Sequence, residues 1–269
     1  MSCASTRRTE QILRVGLIGL GAIGQHVALG IASGAAGLDV ELRAVLTRGT
    51  SRVDGGQLER TDQLRPARIP VFTDFSSFLA TGPQVVVEAA SAEAATAYAD
   101  PILASGASLI IASSAALMDS AFRARLEEIC RRSSVRVYVT AGALIGLDAL
   151  SAAAAGELHR VSLRVVEPQR MCEVPRVVFE GSAVEGARRF PGRLNVAATV
   201  ALATGGDVSV TLLECPPDHR REITLSARGA FGDFTASLWP DIRADRLSHF
   251  VALSLLAALR RFQERLQIG

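Results

Sequence analysis

Three closely spaced glycines follow a short apolar run near the start of the chain. They are Gly19, Gly21 and Gly24, and helix-like apolar spacing follows them. This spacing is typical of a turn that binds a dinucleotide: one glycine turns the chain, one admits a pyrophosphate and one lets the helix pack closely. The N–H groups at the helix start would hold the anion. We predict an NAD or NADP site formed by Gly19, Gly21, Ala22, Ile23 and Gly24. A glycine-rich turn that packs but binds nothing is the alternative.

The end of the second predicted strand bears on the choice between the two coenzymes. Units that bind NAD often carry an acidic residue there, which holds the ribose 2′-hydroxyl. Here the strand ends in Thr47 and Arg48, with Arg52 further on, and neither Asp nor Glu stands at the tip. We predict that these residues accept a 2′-phosphate, which favours NADP. The alternative is that Arg48 is only a solvated loop charge.

A third strand end lies at the sequence Val-Glu-Ala-Ala-Ser, residues 87–91. The carboxyl ends of strands line the ligand crevice in open α/β sheets. Ala90 is small enough for a coenzyme to lie close, and Ser91 is placed to cap the next helix. Glu88 is expected either beside the coenzyme or as a buried hydrogen-bonding group.

The chain offers few groups for proton transfer near neutral pH. All 29 basic residues are arginine, which excludes a Schiff-base lysine, a pyridoxal-phosphate anchor and a lysine general base. The histidines are His26, His159, His219 and His249. General acid–base catalysis by histidine therefore has few candidates.

The order of predicted elements gives the fold class. Strands and helices alternate in the first half, which predicts an α/β Rossmann fold with a doubly wound parallel sheet. After about residue 142 strands follow one another without a helix between each pair, which predicts a second, smaller α+β domain. We expect a dinucleotide-binding domain over 1–142, a substrate domain over 143–245, and a C-terminal helix over 246–269 that packs back on the first domain.

Composition narrows the class of partner. The net charge of +2 gives no indication of nucleic acid or an acidic membrane surface. The apolar stretch 15–38 contains several glycines, Gln25 and His26, which argues against a membrane span. The four cysteines lie far apart without a C-x-x-C pair, so neither a zinc site nor another metal site is predicted. Without a recognisable targeting segment, we expect a cytoplasmic protein with a small-molecule substrate.

Several segments together resemble the L-aspartate dehydrogenase family. Besides the glycine turn and residues 87–91, they are 141–150 (AGALIGLDAL), 179–183 (FEGSA) and 190–202 (FPGRLNVAATVAL). The resemblance implies an NAD(P)-dependent oxidoreductase that converts L-aspartate to iminosuccinate, which hydrolyses to oxaloacetate and ammonia. It implies that Ala143 and Asn195 contact the coenzyme near the nicotinamide, and that the protein is a homodimer through the sheet of the second domain. From the residues alone, Asn195 is equally an N-cap and Asp148 a structural polar residue.

One departure from the family pattern concerns catalysis. The family carries its catalytic histidine in Asn-x-His-Glu-Ile, whereas this chain has His219-Arg-Arg221-Glu-Ile. Arginine cannot act as a general base near neutral pH because its pKa lies above about 12. If residue 219 is extended, His219 and Arg221 share one strand face. We then predict that His219 moves protons and Arg221 grips a substrate carboxylate. The alternative is that both residues lie in a solvated loop.

Other departures also fall in the substrate half. The family often has Asn-Pro-x-Thr-Ser before the last helix, where this chain has Ala-Asp-Arg-Leu-Ser at 244–248 followed by His249. Arg170 is a candidate substrate clamp in a loop that lacks the expected basic, proline-rich stretch. These differences leave two alternatives open: an imine or carbonyl reductase with altered specificity, and a non-catalytic NAD(P)-binding homologue.

Overall fold

The computed structural model describes residues 12–34, 39–49, 69–240 and 246–264. Its first sheet has six parallel strands in the order β3-β2-β1-β4-β5-β6. They are β1 (Leu13–Ile18), β2 (Val40–Leu46), β3 (Val71–Phe72), β4 (Val85–Glu88), β5 (Ser108–Ile111) and β6 (Val137–Val139). Near-continuous apolar runs form the central strands because both of their faces are buried. The predicted doubly wound sheet is confirmed.

Helices cover both faces of this sheet. They are α1 (Ala22–Ala32), α2 (Phe75–Leu79), α3 (Ala92–Ala104) and α4 (Ser120–Arg132), with a short 3-10 helix at Ser114–Met118. Val15 and Leu17 of β1 pack towards α1, whereas Ile18 belongs to the core beneath α2, α3 and α4. This alternation gives the parallel sheet two separate apolar layers.

The second sheet is mixed, with the order β11-β10-β7-β9-β8. Its strands are β7 (Leu158–Pro168), β8 (Arg176–Ser182), β9 (Ser209–Cys215), β10 (Glu222–Gly229) and β11 (Gly232–Leu238). One face is covered by α5 (Leu147–Ala154), α6 (Ala183–Arg189) and α7 (Asn195–Thr204). On the opposite face hydroxyls pair across strands, Thr224 with Ser237 at 2.9 Å and Ser226 with Thr235 at 3.0 Å. The α+β second domain is also as predicted.

The last helix, α8 (Arg246–Gln263), packs along α1. Leu255 and Leu259 are fully buried in the core that contains Val27 of α1. Gly30 of α1 permits this approach, because a Cβ there would lie 2.5 Å from Leu256 Cδ1. Within the described part of the chain, no helix is long and apolar enough to span a membrane.

Polar contacts join the two halves of the molecule. Ser114 donates through Oγ to the backbone oxygen of Asn195 at 2.7 Å, and Thr199 Oγ1 donates to Ser114 Oγ at 3.0 Å. Arg188 donates to the backbone oxygen of Met118 at 3.0 Å. The start of α7 is thereby held against the carboxyl edge of the parallel sheet, and a cleft lies between them.

Candidate active site

The glycine turn has the geometry that a phosphate requires. Gly19 adopts a φ of +98°, and a Cβ there would lie 2.6 Å from the backbone oxygen of Ala89. A Cβ at Gly24 would collide with the backbone oxygen of Gly19, so this glycine lets α1 approach the turn itself rather than the strand. A Cβ at Gly21 would meet no atom within 4 Å. Gly21 precedes α1, which has neither a side-chain cap nor an acidic residue in its first turn. No side chain therefore caps the first N–H groups of this helix, which leaves them available to an anion.

The other predicted strand ends lie on the same edge of the sheet. Ile18 is in register with Leu46 on one side and with Glu88 on the other, so the turns after the three strands are neighbours. Thr47 is half-buried and its N–H donates to the backbone oxygen of Phe72 at 2.9 Å. Arg48 is exposed. Hydrogen bonding to the Ser91 side chain is the main cause that lowers the pKa of Glu93, and the nearby charge of Arg48 adds to it.

Glu88 links the turn after β4 to the segment that follows β5. Its Oε1 accepts from Ala90 N at 2.7 Å and from Ser113 Oγ at 3.0 Å, and its Oε2 accepts from Ser113 N at 3.0 Å. Burial raises the pKa of this carboxyl. Ser91 accepts from Ala94 N at 3.3 Å and caps α3 as predicted. Of the two roles considered for Glu88, the structure shows buried hydrogen bonding.

A cleft of about 510 Å³ opens between the two halves. Six of the residues predicted for the site line it: Ile23, Ala90, Ser91, Ala143, Asn195 and Arg221. The rest of the predicted set lies outside its lining, namely Gly19, Gly21, Ala22, Gly24, Thr47, Arg48 and His219. The glycine turn continues directly into Ile23, so it borders the cleft, and the structure brings most of the predicted coenzyme residues to one edge.

His219 is not brought to the cleft. Its N–H donates to the backbone oxygen of Pro216 at 3.1 Å in a turn, and β10 begins only at Glu222. The ring is about half exposed, with Nδ1 3.2 Å from Asp218 Oδ1. The premise that residue 219 is extended and shares a face with Arg221 is therefore wrong. His249 packs against His26 at a centroid distance of 4.9 Å, and the described cleft lining contains no histidine.

Arg221 faces the cleft and takes part in a charge cluster that we did not predict. One of its terminal nitrogens, Nη1, donates to Glu167 Oε1 at 2.7 Å. Arg193 donates to Glu167 Oε2 at 2.8 Å and to Glu214 Oε1 at 3.1 Å. Burial opposes the charge of Arg193, but the bonds to Glu167 and Glu214 outweigh it and raise the pKa of this guanidinium. Arg193 lies in the segment 190–202, which carries part of the family resemblance. This location was the sign in the sequence that Arg193 belongs to the site.

Two other predicted residues lie elsewhere. Arg170 is exposed and does not line the cleft, so the substrate clamp expected there is not formed by this residue. Asp148 is exposed in the first turn of α5. The segment 241–245 and Arg52 lie outside the described residues, as do the side chains of 246–248, so the departure at 244–248 is not described.

Two buried polar atoms of the cleft lack a partner. They are Thr140 Oγ1 and Asn195 Oδ1, which accept or donate no hydrogen bond within the described residues. Asn195 is the first residue of α7 and its side chain does not cap the helix, because the N-cap is Leu194. Buried polar groups are nearly always paired, so these two atoms are candidates for hydrogen bonds to a bound ligand or to water.

Comparisons with known proteins agree with this geometry. Residues 19–140 match the family model "Homoserine dehydrogenase, NAD binding domain", and residues 148–262 match "Aspartate dehydrogenase, C-terminal". The chain is 34% identical to an L-aspartate dehydrogenase of Archaeoglobus fulgidus, over 94% of this chain and 99% of that protein. The chain belongs to the L-aspartate dehydrogenase family. An L-aspartate dehydrogenase 2 of Bordetella bronchiseptica is also 34% identical, over 95% of this chain and 99% of its own length.

A solved structure of the family shares the fold. The aspartate dehydrogenase from Thermotoga maritima has a TM-score of 0.74 and 26% identity, and covers 96% of this chain and 99% of its own. Within the described residues, no group of three or more His, Cys, Asp or Glu side chains could hold a metal ion. In this member of the L-aspartate dehydrogenase family, residues at the edge of the parallel sheet and Arg221 line the same cleft.

Proposed function

We propose that the protein is an NAD(P)-dependent L-aspartate dehydrogenase that works in the cleft between its two sheets. One observation carries this proposal: the small side chains at the edge of the parallel sheet and Asn195 share a cleft with the cationic Arg221. The family relatives are named for this activity. The reaction is the oxidation of the amine of L-aspartate to iminosuccinate, which water converts to oxaloacetate and ammonia.

The residues present fit NAD or NADP. The open space at Gly21 and the uncapped start of α1 suit a pyrophosphate. Ala90, Ser91 and Ala143 provide a close, mostly small-residue wall, and the unpaired Asn195 Oδ1 would accept a hydrogen bond from the carboxamide of the nicotinamide. When bound, the coenzyme supplies the hydride acceptor or donor.

The choice of coenzyme is assigned to Thr47 and Arg48. Arg48 is exposed at the end of β2, where a 2′-phosphate would lie in this class of fold. Replacing Arg48 by alanine should raise the KM for NADP and leave the KM for NAD within error. An equal effect on both coenzymes would contradict the assignment.

Arg221 is assigned to substrate binding rather than to proton transfer. Arginine does not act as a general base near neutral pH. Only Nη1 is engaged by Glu167, and no other hydrogen bond of this side chain occurs within the described residues. The remaining N–H groups can therefore bind a carboxylate through charge-assisted hydrogen bonds. Binding in this way would orient the α-carbon of the substrate.

Assays of the purified protein separate this proposal from its alternatives. Reduction of NADP or NAD that depends on L-aspartate, with a reverse reaction that needs both oxaloacetate and ammonia, is the expected result. A reductive rate that does not depend on ammonia would favour a carbonyl reductase. Binding of NADPH, seen by fluorescence, without turnover on a broad panel of amino acids and imines would favour a non-catalytic homologue.

Assembly and location belong to the same proposal. We assign a homodimer through the uncovered face of the second sheet, where hydroxyls and the 56% exposed Val177 are presented. Light scattering of the purified protein should give twice the mass of the chain, and a single-chain mass would contradict it. The free thiols of Cys130, Cys172 and Cys215 support a reducing, cytoplasmic location.

A further inference from the structure

A row of charged side chains crosses one end of the second sheet. Glu167 on β7 is in register with Glu214 on β9, and Glu214 is in register with Arg176 on β8. On the other side of β7, the pair formed by Val166 and Glu222 brings the next residue, Arg221, opposite Glu167. The order across the sheet is therefore cation, anion, anion, cation.

The neighbouring carboxylates of Glu167 and Glu214 repel each other. Arg193 offsets this repulsion because it binds both of them. It donates through Nε to Glu167 Oε2 at 2.8 Å and through Nη2 to Glu214 Oε1 at 3.1 Å. Its Nη2 also lies 2.7 Å from Glu167 Oε2 as an ion pair. Glu167 consequently holds two guanidinium groups at once, one on each of its oxygens, because Oε1 accepts from Arg221 at 2.7 Å.

The three side chains differ in how deeply they are buried. The side chain of Glu167 is 6% exposed, whereas those of Arg193 and Arg221 are 33% and 27% exposed, and all three residues line the cleft. The carboxylate thus forms the floor and the guanidinium groups stand nearer to solvent. Arg193 Nη1 and the Nε and Nη2 of Arg221 have no hydrogen-bond partner within the described residues.

Charge supports an anionic ligand at this place. Two guanidinium groups and one carboxylate leave the trio with a net charge of +1. L-Aspartate, with two carboxylates and one ammonium, carries the opposite charge. A single fixed carboxylate that orients two arginines also reduces the repulsion between them, so that both can be held within reach of one small ligand.

We propose that Glu167 is a positioning residue that holds Arg193 and Arg221 as a two-point receptor, with one guanidinium for each carboxylate of a dicarboxylate substrate. This rests on the proposed function and adds to it a specificity residue, Arg193, and the group that orients it. Arg221 alone would bind monocarboxylates and dicarboxylates alike, whereas the second cation makes the site select dicarboxylates.

Calorimetric titration of the full chain, saturated with NADP, tests this without requiring turnover. The probes are succinate, which is aspartate without its ammonium group, and the monocarboxylate butyrate. Glu167→Gln and Arg193→Gln should each raise the Kd of succinate by about 10- to 100-fold, the effect of losing one charge-assisted hydrogen bond. Arg193→Gln should leave the Kd of butyrate unchanged. The matched control is Arg176→Gln, which also removes one ion pair from the row but does not line the cleft.

The result that overturns the proposal is succinate binding by Glu167→Gln and Arg193→Gln as tight as by the control. If Glu167→Gln does not fold, Arg193→Gln decides, because it leaves Glu167 paired with Arg221. In turnover assays, Glu167→Gln and Arg193→Gln should raise the KM for aspartate and change kcat little. Glu167→Asp should recover part of the affinity that Glu167→Gln loses. A fall in kcat without a rise in KM would contradict a positioning role. Absence of aspartate turnover in the wild type with succinate binding intact would refute the proposed function and not this inference.

Discussion

Arg221, the residue before β10, donates a hydrogen bond of 2.7 Å to Glu167 Oε1 on the neighbouring antiparallel strand β7. The resemblance to the family implies a histidine at this position, whereas this chain has an arginine paired with a buried carboxylate. Proton transfer by residue 221 is therefore excluded near neutral pH, and the interaction fixes the direction of its remaining donors. The chemistry on this side of the cleft is binding and orientation.

The first prediction concerns His219. Because its ring lies outside the cleft lining and beside Asp218, His219→Ala should leave kcat for the true substrate within about twofold of the wild type, as for other exposed substitutions. Steady-state kinetics across pH 6–9 would show it. A loss of kcat of more than about tenfold would show that this histidine takes part in the reaction.

The second prediction separates the roles of two glycines. Gly19→Ala forces a side chain into a left-handed conformation and against Ala89, so unfolding should become easier by about 1–2 kcal/mol or more. Gly21→Ala meets no atom and should leave stability unchanged, yet it should weaken NADPH binding because its Cβ occupies the phosphate approach. Urea unfolding and NADPH fluorescence titration measure the two effects. Equal destabilisation by both substitutions would be the contrary result.

The third prediction concerns the unpaired hydroxyl of Thr140. Thr140→Val keeps the shape of the side chain and removes a buried polar atom that has no partner among the described residues, so the melting temperature should stay the same or rise. If the hydroxyl binds coenzyme or substrate, kcat/KM should fall by about fivefold or more, since one hydrogen bond contributes about 1 kcal/mol. Lower stability without any kinetic effect would show that the hydroxyl has a partner within the protein.

The fourth prediction follows from the raised pKa of Glu88. Burial makes its protonated form more favourable in the folded state than in the unfolded chain, so its contribution to stability is greatest below the ordinary pKa of 4.5. That contribution is lost as the pH rises from 4.5 towards the raised pKa of the folded protein. The stability of the wild type relative to Glu88→Gln should therefore decline with increasing pH in this window. Urea unfolding at a series of pH values measures it, and a difference that grows with pH would contradict the account.

Much of the fold follows from local patterns in the chain. Apolar runs such as Val85–Val87 indicate the buried parallel strands, and the glycine spacing indicates the turn before α1. Apolar periodicity does not show helix α5, because it is a short, alanine-rich segment of eight residues that starts after Gly146. Such a segment has too few large apolar side chains to show a periodicity.

Local sequence patterns do not predict which residues meet on the substrate side of the cleft. Glu167, Arg193 and Arg221 meet through strand register and through residues that are far apart in sequence, so spacing alone does not pair them. The premise that residue 219 is extended was wrong because the chain turns after Pro216 instead of entering β10 early. Prolines such as Pro216 and Pro217 disfavour a strand interior. Their effect here was stronger than the strand-like alternation of side chains that we assumed for residues 219 and 221.

The central claim is that this cleft oxidises L-aspartate with a nicotinamide coenzyme and holds the substrate through Arg221. The most direct measurement is the aspartate-dependent reduction of NADP and NAD by the wild type and by Arg221→Met, with NADPH binding measured alongside. We predict turnover by the wild type, and for Arg221→Met a loss in kcat/KM for aspartate of at least about tenfold with unchanged NADPH affinity. Wild-type protein that binds NADPH but reduces neither coenzyme with L-aspartate, or Arg221→Met with undiminished kcat/KM, would contradict the account.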